Sequence, residues 1–262
     1  MRLRIDLAYD GSGFHGWAAQ PGLRTVQNEV DAALATVLRM PSVRTVCAGR
    51  TDTGVHARGQ VVHVDVADPP TIELQRRLNG VLPADVRVRW VGLAPAGFDA
   101  RYSPLWRRYV YRIADAVEVV DPLTRGHVLT RRRPLDEALM SAAGAPLVGL
   151  RDFAAFCKQR VGATTTRTLL ELSWVRDDDG VLVGTVRADA FCHRMVRSLV
   201  GCLVAVGEGR RPPEWAAGVL VGGVRDATVR VVPAHGLTLE EVCFPPDAEL
   251  AARADLTRSR RG

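Results

Sequence analysis

Hydrophobic and polar residues alternate with a period of two from Arg2 to Asp10. Leu3, Ile5, Leu7 and Tyr9 fall on one side, and Arg2, Arg4, Asp6 and Asp10 on the other. That pattern predicts a half-buried strand. The period changes after Thr25, where Val26, Val30, Ala33, Leu34, Val37 and Leu38 form one helical stripe behind a threonine suited to the N-cap. Alternation returns from Gln60 to Val66, with Val62, Val64 and Val66 opposite His63 and Asp65, and again from Val86 to Leu93. A short helix over Thr71 to Gly80, closed by Pro83, is expected between them.

The second half repeats the grammar without repeating the sequence. Arg107 to Ala114 reads as a strand and Pro134 to Leu147 as a helix. Leu169 to Val175 and Val181 to Ala188 flank Asp177-Asp178-Asp179-Gly180, a hairpin signal. A long helix is predicted over Phe191 to Val206 and a shorter one over Pro213 to Val221. Strands are predicted at Thr228 to Val232 and Leu237 to Phe244. Strands of alternating polarity separated by helices predict an α+β fold of two similar halves, each a mainly antiparallel sheet with helices on one face. The divisions expected are 1–103, 104–245 and a mobile basic tail over 246–262, ending Arg258-Ser259-Arg260-Arg261-Gly262.

Composition narrows the class. A 47% hydrophobic and 24% charged chain of 262 residues is that of an ordinary globular protein, and no apolar run approaches the roughly 18–20 residues that span a bilayer. The start, Met1-Arg2-Leu3-Arg4, has no apolar signal core, so a cytoplasmic location is expected. The net charge of +6 rests almost wholly on arginine, since Lys158 is the sole lysine. Arginine forks onto phosphate and stacks on bases, so this charge is compatible with nucleic acid without establishing it. Cys47, Cys157, Cys192, Cys202 and Cys243 are scattered and form no Cys-x-x-Cys pair. They predict reduced, mostly buried thiols, with no disulfide framework and no metal site.

Gly11-Ser12-Gly13-Phe14-His15-Gly16 matches the Gly-x-Gly-x-x-Gly fingerprint of dinucleotide-binding proteins after a strand. Its mechanism needs the third glycine to open a helix that receives a pyrophosphate. Here Trp17 and Gln20-Pro21-Gly22 intervene, and the helix begins only near Thr25. No nucleotide cofactor is expected, and the glycines read as a tight loop.

The densest chemistry lies in Ala48-Gly49-Arg50-Thr51-Asp52-Thr53-Gly54-Val55-His56. By spacing alone, Asp52 reads as an aspartate that organises its own turn ahead of a reactive carboxylate. Its companions change that balance. The segment resembles the Gly-Arg-Thr-Asp-x-Gly-Val-His signature of the tRNA pseudouridine synthase A family. The likeness continues in order through Tyr9-Asp10-Gly11, Gly16-Trp17, Arg24-Thr25-Val26-Gln27, Gly59-Gln60-Val61, Asn79 with Leu82-Pro83, and Phe98-Asp99-Ala100-Arg101. It goes on through Arg107-Arg108-Tyr109-Val110-Tyr111 and Ala190-Phe191-Cys192-His193-Arg194-Met195-Val196-Arg197. Ala18 stands where most members carry glutamine, and Cys192 where an aliphatic residue is usual.

The resemblance implies a pseudouridine synthase fold with a central RNA-binding cleft. It also implies isomerisation of uridine in the tRNA anticodon stem-loop at positions 38, 39 and 40, and a homodimer working without cofactor or metal. Asp52 would be the catalytic residue, as a nucleophile at C1′ or a base at C2′. Arg197 would be its cationic partner, Tyr109 would stack on the target uracil, and Arg50 would enter the space left by the flipped nucleotide. His193 would join the substrate-binding set, with His193 and Arg197 expected one turn apart on a single helix. A non-catalytic RNA-binding module is the competing class, and it gains nothing from a carboxylate placed against phosphate.

Overall fold

The computed structural model describes residues 1–67, 73–158 and 164–259. The first elements are strand β1 (Arg2–Tyr9), helix α1 (Val26–Leu38), strands β2 (Val46–Cys47) and β3 (His56–Asp65), helix α2 (Leu74–Val81) and strand β4 (Val86–Leu93). Strand β5 (Trp106–Ala114), strand β6 (Leu129–Thr130), helix α3 (Glu137–Gly144), and strands β7 (Gly149–Asp152), β8 (Thr166–Arg176) and β9 (Leu182–Ala188) follow. Helices α4 (Met195–Gly207) and α5 (Glu214–Gly222), strand β10 (Leu237–Cys243) and helix α6 (Leu250–Ser259) complete the fold, which is α+β.

Two units divide the chain: Met1–Arg107 with Leu239–Gly262, and Arg108–Thr238. The sequence places a division at 103/104, whereas the units change over at Arg107/Arg108 and the end of the chain belongs to the first unit. The stretch expected to be a mobile tail instead carries α6, with Leu250, Ala254 and Thr257 buried and Arg258 paired to Asp99 at 2.9 Å. An apolar contact every three or four residues was hidden there among arginines and acids. Residues 260–262 lie outside the described residues.

In the first unit β1 sits between β4 and β3, and β3 has β10 on its other side. Burial along β1 alternates strictly, so one register satisfies every apolar residue, with Ile5 opposite Val62 and Val91. Thr25 caps α1 by accepting from the Asn28 amide, and Val26, Val30, Ala33, Leu34 and Val37 are buried as the stripe predicts. Arg77 donates to the Val37 carbonyl and ties α2 to α1, while the Asn79 amide exchanges two hydrogen bonds with Val88 of β4 (2.8 and 2.9 Å). The α2 helix begins at Leu74; Thr71 and Ile72, where its start was expected, lie outside the described residues.

In the second unit the order is β5-β9-β8-β7, with β6 parallel to β5. The hairpin signal holds: Asp177 accepts from the Asp179 and Val181 amides, and Gly180 adopts φ +77°. At the end of this hairpin the Arg176 guanidinium forks onto the buried Asp115 carboxylate (2.8 and 2.9 Å), holding that carboxyl below its ordinary range despite burial. Helix α4 is buried nearly all round, with Leu199, Val200 and Leu203 fully enclosed.

Two predictions fail here for tertiary reasons. Thr228 to Val232 is not a strand; its backbone crosses α4, and the Arg230 carbonyl would sit 1.7 Å from a Cβ on Gly201. Only glycine admits that approach. The thiol expectation holds for Cys47, Cys202 and Cys243 but fails for Cys157 and Cys192, which form a disulfide with Cα atoms 5.7 Å apart. Thirty-five residues separate them in sequence, so nothing local could have announced the pair. Burial pushes the Cys47 and Cys202 thiols up to about 12. Among the described residues no helix is long and apolar enough to cross a membrane, and no cluster of three or more His, Cys, Asp or Glu could hold a metal ion.

Candidate active site

The first unit presents Asp52 in the loop that leads into β3. That strand begins at His56, four residues earlier than its polarity suggested, so the loop ends at Val55. Asp52 is half-buried and Arg50 is exposed. Around them the loop is tied down on every side. Its Thr51 carbonyl accepts from the Trp17 amide (3.0 Å), the Gly54 amide donates to the Phe14 carbonyl (3.3 Å), and the Val55 amide donates to the Asp52 carbonyl (3.1 Å). Trp17 and Phe14 are themselves almost fully enclosed.

The partner in these contacts is the glycine-rich segment after β1. It forms one short 3-10 turn, Gly11–Gly13, and no helix opens at Gly16, so the dinucleotide mechanism has no place to act. Gly16 holds φ +90°, and a Cβ there would lie 2.9 Å from the Thr51 carbonyl. The loop therefore lets two backbones meet beside Asp52. The Gly11 amide donates to His56 Nδ1 at 3.0 Å, which leaves that nitrogen unprotonated. Asp10 Oδ1 also lies 3.1 Å from the same nitrogen.

Arginine surrounds the base of the loop. Arg107, buried at the start of β5, donates to the Ala48 carbonyl at 2.9 Å and to the Arg101 carbonyl at 3.0 Å. Arg50, Arg101 and Arg107 all favour the ionised form of Cys47, though burial outweighs them.

Tyr109, His193 and Arg197 belong to the second unit. Tyr109 is buried on β5 with the Phe191 ring edge-on, centroids 5.1 Å apart. Tyr111, two residues on, is fully buried and donates to the Pro233 carbonyl at 2.8 Å, a core role. Arg197 donates from Nε to the Val232 carbonyl at 2.8 Å.

The expectation that His193 and Arg197 share a helix is corrected. Arg194 adopts the left-handed conformation at φ 68°, so α4 starts at Met195 and His193 lies in the turn before it. The apolar run that looked helical from Phe191 instead closes a turn, with the Met195 amide donating to the Cys192 carbonyl and the Lys158 amide to the His193 carbonyl. The disulfide to Cys157 anchors the same turn. Sequence reasoning also passed over Tyr9, Trp17, Gln60 and Arg107 as supports of the loop. For Tyr9, Gln60 and Arg107 the signal was an uncommon one, polar atoms on residues placed in the buried stripe of a strand, whereas Trp17 acts through its backbone amide from a loop.

A half-buried carboxylate in a loop held by backbone hydrogen bonds, with the exposed Arg50 two residues before it, suits acid–base or covalent chemistry. The family model described as tRNA pseudouridine synthase matches residues 143–245. A protein called tRNA pseudouridine synthase A from Frankia casuarinae is 60% identical, covering 100% of this chain and 96% of its own length. Proteins of the same name from Streptomyces griseus (57%, covering 100% and 94%) and Mycobacterium leprae (49%, covering 100% and 96%) match as well. The chain belongs to the tRNA pseudouridine synthase A family.

Proposed function

We propose that this protein converts uridine to pseudouridine at positions 38, 39 and 40 of the tRNA anticodon stem-loop, with Asp52 as its catalytic carboxylate. The reaction is an isomerisation. The N1–C1′ bond breaks, the uracil turns, C5 bonds to C1′, and the C5 proton leaves as N1 gains one. Nothing is oxidised or reduced, so the chemistry asks for a carboxylate, a grip on the base and compensation for flipping. The carboxylate either bonds to C1′ or removes the 2′ proton to give a glycal. Asp52 is assigned that part, Arg197 the part of keeping it ionised, and Tyr109 that of holding the uracil by stacking. Arg50 fills the space the nucleotide vacates, and His193 contacts the substrate from the turn before α4. The enzyme is read as a cytoplasmic homodimer whose cleft receives the RNA, on the family resemblance.

The observation that carries the reading is the loop itself: an aspartate held between bonded neighbours, within a family signature of Arg50, Thr51, Asp52 and His56. Incubation with unmodified tRNA transcripts, followed by pseudouridine mapping, tests both activity and position. Wild-type protein is expected to modify positions 38 to 40, and Asp52→Asn to give no product while binding tRNA with near-normal affinity. Full product from Asp52→Asn would remove the assignment, and binding without product from the wild type would favour an RNA-binding module.

A further inference from the structure

A short side chain such as that of Asp52 has little reach of its own, so its carboxylate goes where the backbone of Thr51 sends it. Side-chain hydrogen bonds that arrive from two different strands fix that backbone. Gln60 is fully buried on β3 and donates from Nε2 to the Gly49 carbonyl at 2.6 Å and to Tyr9 Oη at 3.3 Å. Its Oε1 accepts from the Gly49 amide at 3.4 Å and the Val61 amide at 3.2 Å. Tyr9 Oη lies 2.8 Å from Thr51 Oγ1. An amide nitrogen can only donate, so Tyr9 Oη accepts from Gln60, while either hydroxyl can donate in the bond between Tyr9 and Thr51.

The register explains how Tyr9 arrives there. Leu7 pairs with Gln60 but Tyr9 pairs with Ala57, so β3 carries one extra residue between them. A bulge of this kind re-aims the side chains beside it. All three polar side chains are buried, and a fully bonded buried network holds its members in one arrangement.

We infer that Tyr9 and Gln60 are positioning residues: through the Thr51 hydroxyl and the Gly49 peptide they set the angle at which Asp52 meets C1′ or C2′. The inference rests on Asp52 being the catalytic carboxylate. Single-turnover pseudouridine formation and tRNA affinity are to be measured for Tyr9→Phe, Thr51→Val, Thr51→Ser, the Tyr9→Phe/Thr51→Val double variant and Asp52→Asn. Misplacement by a fraction of an ångström predicts a loss of about 10- to 100-fold in rate for Tyr9→Phe and Thr51→Val, with affinity within about twofold of wild type. Thr51→Ser should recover most of the rate that Thr51→Val loses. The double variant should be no slower than the worse single one, because both remove the same hydrogen bond.

A merely structural role would lower the melting temperature and the yield of folded protein without splitting rate from affinity. The inference is overturned if folded Tyr9→Phe keeps its rate, or if Thr51→Ser is as slow as Thr51→Val. Should Tyr9→Phe fail to fold, the threonine pair decides alone. An active Asp52→Asn would instead sink the reading of the site, whereas an inactive one beside a fully active Tyr9→Phe would sink only the positioning role.

Discussion

The loop from Gly49 to Val55 and the turn from Phe191 to Arg197 both present residues assigned to the substrate, and they are held by different physics. The first is tied by hydrogen bonds from the Phe14 and Trp17 backbone and from Gln60 and Tyr9. The second is secured by a disulfide to Cys157, by the Phe191 ring on Tyr109 and by a left-handed Arg194 that starts a buried helix. Hydrogen bonds fix angles and fail by small displacements. Packing and a cross-link fix the path of the chain and fail by loosening it. Under the proposed roles, a carboxylate that must reach one atom of a sugar calls for the former, and a tyrosine that covers a base tolerates the latter.

Breaking each device in turn tests that contrast. Reduction of Cys157–Cys192 should have the largest effect on stability. Opening a loop of this length restores denatured-state entropy worth about 3–4 kcal/mol. Denaturant unfolding with and without reductant reads it, and equal midpoints would show that packing alone holds the turn. Next comes Tyr109→Leu, which keeps apolar volume and loses the ring. Activity should drop about 10- to 100-fold, the equivalent of one stacked base at roughly 1–3 kcal/mol, and an unchanged rate would remove Tyr109 from the base. Gly16→Ala brings a Cβ within 2.9 Å of the Thr51 carbonyl at a positive φ. It should cost about 1–3 kcal/mol and slow the reaction more than it weakens tRNA binding.

Acidification should give the smallest effect, and an ordered one. Burial, with Arg2 nearby, holds the His63 imidazole in the first unit below its ordinary range, and its Nδ1 accepts from the Ala100 amide. The unfolded chain then binds the extra proton more readily, so stability is full above about pH 6.5 and declines as pH falls below it. His235, half-buried in the second unit, shifts in the same direction through burial. Asp115 acts differently: its folded carboxyl titrates below the usual range, so its contribution persists until pH falls through that lower value. Thermal unfolding against pH should therefore show an early decline that His63→Asn flattens. A flat profile down to pH 5 in the wild type would contradict it.

Much of the frame was legible because a sheet with one buried face writes its register into the chain. The β1 and β4 bounds and the α1 cap follow from alternation, a 3.6-residue stripe and one threonine. The expectations that fail share one cause. Phe191 to Arg194 looked helical until a left-handed arginine turned it, Thr228 to Val232 looked like a strand until it crossed Gly201, and the arginine-rich end looked mobile until Leu250 and Ala254 found a core. Each depends on a partner remote in sequence.

Asp52 shows the same division at the scale of one residue. Its type and its neighbours, and through the collinear motifs its family, are determined by the chain alone. Local pattern could not say what holds it, because a tyrosine in a strand's apolar stripe and a glutamine in the next strand read as core. Only the fold decided that a bulge in β3 turns Tyr9 onto Thr51 and that Gln60 grips Gly49, since hydrogen bonds 42 and 11 residues apart in sequence form only once the strands have paired.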